Sequence, residues 1–149
     1  VSLERVLVVD DEAEVCDLVA RALTRAGYEV LTAETGEAAV LLLDVGPVDC
    51  LVVDKHLPGM HGGEVMAEAR RRLPRLAVVL ITGHPEPLSF GEARPDVTLP
   101  KPFKSLQAIE EAVAQALAAS RAATPVVETL KERLTQVVAE IAPLRRKRE

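Results

Sequence analysis

Five aspartate, threonine and lysine positions stand at the ends of apolar runs, where side chains can do chemistry. Val6-Leu7-Val8-Val9 leads into Asp10-Asp11, and Leu51-Val52-Val53 leads into Asp54. Ala77-Val78-Val79-Leu80-Ile81 leads into Thr82, and a weaker run at Val97–Leu99 leads toward Lys101. Three carboxylates brought to one crevice would repel one another and hold protons unless a cation were present. Oxygen ligands plus water suit Mg²⁺, which takes a few carboxylates and keeps several waters. A lysine and a hydroxyl at the same rim would complement a phosphoryl anion. In such a set Asp54 is the candidate nucleophile, forming an acyl phosphate. Lys101 would neutralise charge and Thr82 would hydrogen-bond a phosphoryl oxygen.

These residues converge only if the elements behind them form one sheet. The three strong runs are continuous rather than alternating, as expected for strands covered on both faces. Tyr28–Thr32 and Val97–Leu99 are weaker strand candidates. Val15, Leu18, Val19, Ala22 and Leu23 share one helical face opposite Asp17, Arg21 and Arg25. Gly27 follows at the C′ position. Glu37–Leu43 and Gly63–Leu73 predict two further helices, ended by Gly46-Pro47 and Pro74. Ser105 is the expected N-cap of a helix running to about Ala123. This alternation predicts an α/β fold with a parallel sheet, whose C-terminal strand edge is the ligand-binding edge. Gly83–Asp96 carries three prolines and two glycines, which supports only a short or broken helix.

The sequence divides into a domain over residues 1–123 and a C-terminal amphipathic helix over 124–149. Thr124-Pro125 reads as an N-cap followed by proline at the first helical position. Val127, Leu130, Leu134, Val137, Ile141 and Leu144 recur at spacings of three and four, an a/d seam interrupted late by Pro143. A dimerising coiled coil, docking on the chain's own domain, or a linker to another module would each use such a stripe. The terminal Arg145–Arg148 run is basic. It complements a helix C-terminus, and nucleic-acid contact or the start of a removed domain are the alternative readings.

Composition narrows the classes. Of 149 residues, 48% are hydrophobic and 28% charged, which is globular rather than disordered. Aromatic residues are only 2%, too few for base-stacking platforms. A net charge of −5 argues against general polyanion binding, so nucleic acid is not an expected partner. Cys16 and Cys50 form no metal-ligand motif and read as reduced, buried thiols of a cytoplasmic protein. No apolar run approaches the roughly 18 residues of a membrane span, and no secretory leader opens the chain. Gly59, Gly62 and Gly63 fit no phosphate loop and read as a turn after Pro58.

Residues 5–104 resemble the receiver domain of two-component response regulators. The matching stretches are Val6–Glu12 (VLVVDDE), Leu51–Gly62 (LVVDKHLPGMHG), Leu80–Gly83 (LITG) and Lys101-Pro102-Phe103. The resemblance implies a flavodoxin-like (CheY-like), doubly wound five-stranded parallel sheet of order 2-1-3-4-5, here with an extra C-terminal helix. It implies Asp54 as phosphoacceptor, and Asp10, Asp11, Asp54 and the His56 backbone carbonyl as the Mg²⁺ site. Thr82 matches the switch hydroxyl and Lys101 the family lysine, with a cis peptide at Pro102. His56 and His84 fall two residues after Asp54 and Thr82, at positions that tune hydrolysis of the phosphoryl group. The donor implied is a histidine kinase or phosphotransfer protein. Two positions depart from the pattern. Thr98 replaces the usual aromatic residue three before the lysine, and the Gly83–Asp96 segment is short and proline-rich. A Mg²⁺-dependent phosphohydrolase with an aspartate nucleophile is the rival reading, but such enzymes place an acid/base Asp where His56 stands. A phosphorylation-independent interaction module is the other rival, and the intact acidic set argues against it.

Overall fold

The computed structural model describes residues 3–83 and 94–148, with no side-chain detail at 123–132 and 142–148. Five parallel strands carry the fold: β1 (Arg5–Val9), β2 (Glu29–Ala33), β3 (Cys50–Asp54), β4 (Ala77–Thr82) and β5 (Val97–Pro100). Their order is β2-β1-β3-β4-β5. Helices α1 (Ala13–Arg25), α2 (Gly36–Val45), α3 (Gly62–Arg72) and α4 (Leu106–Arg148) cover the two faces.

Strand alternation explains why the central runs are apolar throughout. Val6, Val8, Val52, Val79 and Ile81 pack with Cys16, Val19 and Leu23 of α1 and Ile109, Val113 and Ala116 of α4. Leu7, Val9, Leu51, Val53, Val78 and Leu80 pack with Ala39 and Leu43 of α2 and Val65 and Met66 of α3. Every residue of β3 and β4 is buried. β2 and β5 are edges, half exposed, which is why their sequence signal is weaker.

The local signals act where expected. Gly27 has φ of 101°, and the Tyr28 amide donates back to the Leu23 carbonyl, closing α1. Thr35 Oγ1 accepts from the Ala38 amide at 3.1 Å and caps α2. Ser105 Oγ accepts from the Ala108 amide at 3.1 Å and caps α4.

One expectation is corrected. Thr124-Pro125 does not begin a second helix: α4 runs unbroken from Leu106 to Arg148, 43 residues, through Pro125 and Pro143. Proline's φ is already helical, and Pro125 removes a single backbone donor. A break would orphan up to four donors and four carbonyls. The tail is therefore a continuation of the domain's last helix. Its described positions 133–141 are all exposed, so among these residues none docks back on the domain. Among the described residues, no helix is long and apolar enough to cross a membrane.

Candidate functional site: an acidic pocket at the sheet's switch point

The strand order reverses between β1 and β3, the place where open α/β sheets leave a crevice for ligands. Val9 pairs with Val53, so Asp10 and Asp54 emerge side by side one residue further on. Asp54 pairs with Ile81, and Thr82 pairs with Pro100 on the other flank. The Lys101 amide donates to the Thr82 carbonyl at 2.8 Å, which ties the β5 exit to the end of β4.

Carboxylate oxygens of Asp10, Asp11 and Asp54 all lie within 4.8 Å of one another. Asp10 is fully buried, Asp54 is 5% exposed and Asp11 is open to solvent. Lys101 Nζ bridges the two buried acids, 2.9 Å from Asp10 Oδ2 and 3.1 Å from Asp54 Oδ2. The Lys101–Pro102 peptide is cis. Backbone amides complete the acids' coordination: Glu12 N donates to Asp10 Oδ1 at 2.9 Å, and His56 N to Asp54 Oδ1 at 3.2 Å.

The electrostatics are unbalanced. Burial, together with the Asp10 charge, pushes the Asp54 carboxyl above its ordinary value, against the pull of the His56 amide and Lys101. Burial works against the Lys101 charge, yet its hydrogen bonds to Asp10 and Asp54 hold its pKa above the usual lysine value. Three carboxylates against one ammonium leave two negative charges, and the donors are all oxygen. The residues thus fit a hard divalent cation.

Two supports were missed at the sequence level. Gly62, read there as a turn residue, opens α3 directly against the end of β3. A Cβ at Gly62 would stand 2.2 Å from the Asp54 carbonyl oxygen, and its amide donates to the Lys55 carbonyl at 3.1 Å. Only the aspartate's own position eight residues upstream hints at this. Cys16, read as packing, also donates its thiol to the Asp10 carbonyl at 3.2 Å, beneath the pocket. Both cysteines are free and buried, as expected. Burial pushes the Cys16 thiol up to about 11 and the Cys50 thiol higher still. The His56 side chain is exposed beside Asp54. His84 and most of the proline-rich segment lie outside the described residues.

A doubly wound sheet with a lysine-bridged acid cluster at its switch point has clear relatives. The model of the response regulator receiver domain matches residues 6–114, and the chain belongs to that family. The transcriptional regulatory protein TcrA of Mycobacterium tuberculosis is 37% identical over 124 residues, covering 81% of this chain and 47% of TcrA. KdpE of the same organism is 33% identical over 129 residues, covering 83% of this chain and 57% of KdpE. The chain thus spans about half the length of the curated relatives it matches. Among solved structures, the response regulator TrrA from Thermotoga maritima, in complex with Mg²⁺-BeF, superimposes with a TM-score of 0.70. It is 31% identical, covering 76% of this chain and 99% of that one. A CheY-like receiver from Methanospirillum hungatei gives a TM-score of 0.73 at 26% identity, covering 80% and 98%. The chain is therefore a phosphoacceptor domain of two-component signalling, and the phosphohydrolase reading finds no support among these relatives.

Proposed function

We propose that Asp54 is the phosphoacceptor and that a histidine kinase or phosphotransfer protein is the donor. The Lys101 bridge supports this reading, because it holds a fixed cation against Asp54, the buried carboxylate that is itself the last residue of central strand β3. An Asp54 carboxylate oxygen attacks the phosphorus of a phosphohistidine. The P–N bond breaks, and the donor imidazole keeps the electron pair and takes up a proton. Lys101 offsets the growing phosphoryl charge, and the Thr82 hydroxyl donates to a phosphoryl oxygen. Asp10, Asp11, Asp54 and the His56 carbonyl would hold Mg²⁺, which lowers the electrostatic cost of bringing a phosphoryl group to three acids. Hydrolysis later returns the free carboxylate and inorganic phosphate, with His56 and His84 setting the lifetime. Any catalysis is the domain's own transfer and autodephosphorylation, in a cytoplasmic setting that suits two free thiols.

The output is a change of protein contacts. Thr82 and Lys101 pull their loops toward the phosphoryl group, and the a/d stripe of α4, exposed at Leu134, Val137 and Ile141, pairs with a second copy to give a homodimer. Nucleic acid is not among the partners proposed for these 149 residues, although relatives about twice the matched length are named as transcriptional regulators.

Acetyl phosphate with Mg²⁺ tests the core of this reading. One base-labile phosphate per chain is expected, and none on Asp54→Asn. Undiminished labelling of that variant overturns the assignment, and sustained multiple turnover supports a hydrolase instead.

A further inference from the structure

β5 is a short edge strand, yet it delivers Lys101 to the acid pair. It has four residues, pairs with β4, and buries only Leu99. Val97 and Leu99 share one face of the strand. A one-residue slip along β4 would turn Leu99 away from the core. A two-residue slip would put Val97 where Leu99 stands, so the apolar pattern does not forbid it. It would carry Lys101 about 7 Å along the strand. Lys101 Nζ meets Asp10 and Asp54 at 2.9 and 3.1 Å, and a shift of that size would break both contacts. The Lys101 amide bond to the Thr82 carbonyl does not choose the register, since any residue with a backbone amide could make it.

We infer that Arg70, in the last turn of α3, is a positioning residue for phosphoryl transfer: its clasp on the entry to β5 fixes the register of the strand and with it the reach of Lys101. The inference rests on the role proposed above for Lys101 and deepens it.

The Arg70 guanidinium turns three donors to three acceptors. Nε donates to the Leu76 carbonyl just before β4 at 3.2 Å, Nη1 to the Arg94 carbonyl at 2.6 Å, and Nη2 to Asp96 Oδ2 at 2.9 Å. Asp96 is itself held on β4 twice. Its amide donates to the Val78 carbonyl at 2.9 Å, and its Oδ2 accepts from the Val78 amide at 2.8 Å. These contacts seat Asp96 opposite Val78, one pair ahead of the Val79–Val97 pair that opens the ladder. The two-residue slip would bring Arg94 to that place. It would set a second cation against Arg70 and take the side-chain acceptor from the Val78 amide. The clasp thus penalises the one slip that the apolar pattern allows. The Arg70 and Asp96 side chains are only 26% and 22% exposed, so the pair is partly sheltered from water and salt. Arg71 and Arg72 turn instead to Glu68 and Asp44. A lysine at position 70 would keep the charge but lose the planar fork.

A double-mutant cycle in the full chain tests this, with the initial rate of Asp54 labelling by acetyl phosphate at saturating Mg²⁺ as the readout. Arg70→Ala is expected to slow labelling about tenfold, well within what a misplaced group costs, with Arg70→Lys in between. In a Lys101→Ala background the same substitution should change the rate by less than about twofold, because the group it positions is gone. Mg²⁺ affinity, titrated separately, should not weaken, since Asp10, Asp11 and Asp54 are untouched. Equal slowing in both backgrounds, or slowing in neither, overturns the proposal and leaves the role of Lys101 standing. A loss of Mg²⁺ affinity in step with labelling also overturns it, since the disturbance then lies in the acids. If Lys101→Ala alone labels at the wild-type rate, the role of Lys101 fails and the positioning of Arg70 fails with it. Should Arg70→Ala not fold, Arg70→Lys and Asp96→Asn carry the same cycle with the same outcomes.

Discussion

Ionisation of Asp54 is disfavoured in the fold, because burial and the Asp10 charge outweigh the pull of the His56 amide and Lys101. Its folded-state pKa is raised above the ordinary 3.8 by burial and the Asp10 charge, so the native state holds its proton more tightly than the unfolded chain. Stability then falls as pH rises from the unfolded value through the higher folded one, and the loss persists at neutral pH. In EDTA, Asp54→Asn is expected to melt above wild type at pH 7, with the two curves meeting near about pH 4. A lower melting temperature for the variant across pH 4–8 contradicts this. The cysteines give a second expectation at this scale. Burial that lifts the Cys16 thiol to about 11, and Cys50 beyond it, leaves almost no thiolate at pH 8. Ellman's reagent should react with neither thiol in the native protein and with both in guanidinium. These residues were legible in the sequence as types and positions, because strand ends announce themselves. The raised Asp54 pKa was not, because it depends on Asp10 and Lys101, 44 and 47 residues away.

At the scale of elements, the turn from β3 into α3 fixes the acceptor. Gly62 lets the helix start press on the Asp54 carbonyl, and a methyl group there meets backbone at 2.2 Å. Such overpacking costs about 1–3 kcal/mol and must displace the β3 end. Gly62→Ala is therefore expected both to lower the unfolding free energy and to slow Asp54 phosphorylation. Gly59, with φ of 76° and only the Glu37 carboxylate in ordinary contact distance of a Cβ there, serves the turn conformation instead. The pattern of glycines near Pro58 was readable as a turn; which glycine touches the acid became clear only when α3 was placed on β3. α4 gives the converse lesson. Among its described residues the last buried one is Leu117, so truncation after Ala123 should leave the melting temperature of the domain within a few degrees of the full chain. A large loss would show that the remainder of the helix belongs to the fold. The N-cap signature at Thr124-Pro125 was real as local chemistry and lost to helix continuity.

For the molecule as a whole, cation binding and self-association are linked to stability by mass action. Mg²⁺ at a hundredfold excess over its Kd should stabilise the fold by about 2.7 kcal/mol. Asp11→Ala should need far more Mg²⁺ for the same shift in a thermal melt. Leu130→Asp with Leu134→Asp should sediment as a monomer and still accept phosphate, since the seam's described residues Leu134, Val137 and Ile141 are exposed. A variant that stays dimeric places the interface elsewhere.

The sequence by itself determined the strand order's raw material, the identity of the acids, the hydroxyl and the lysine, and the seam of the last helix. Those are local facts: apolar runs of strand length, polar residues at their ends, and a 3.5-residue repeat. Only the tertiary structure decided that Asp10 and Asp54 share one lysine, because the crossover through β2 is what sets β1 beside β3. It alone decided that Gly62 abuts the acceptor, that the Cys16 thiol supports Asp10, and that the last helix has no break. Each of these is a contact between distant segments, or a competition between a local signal and helix continuity, and neither is written in any one stretch of the chain.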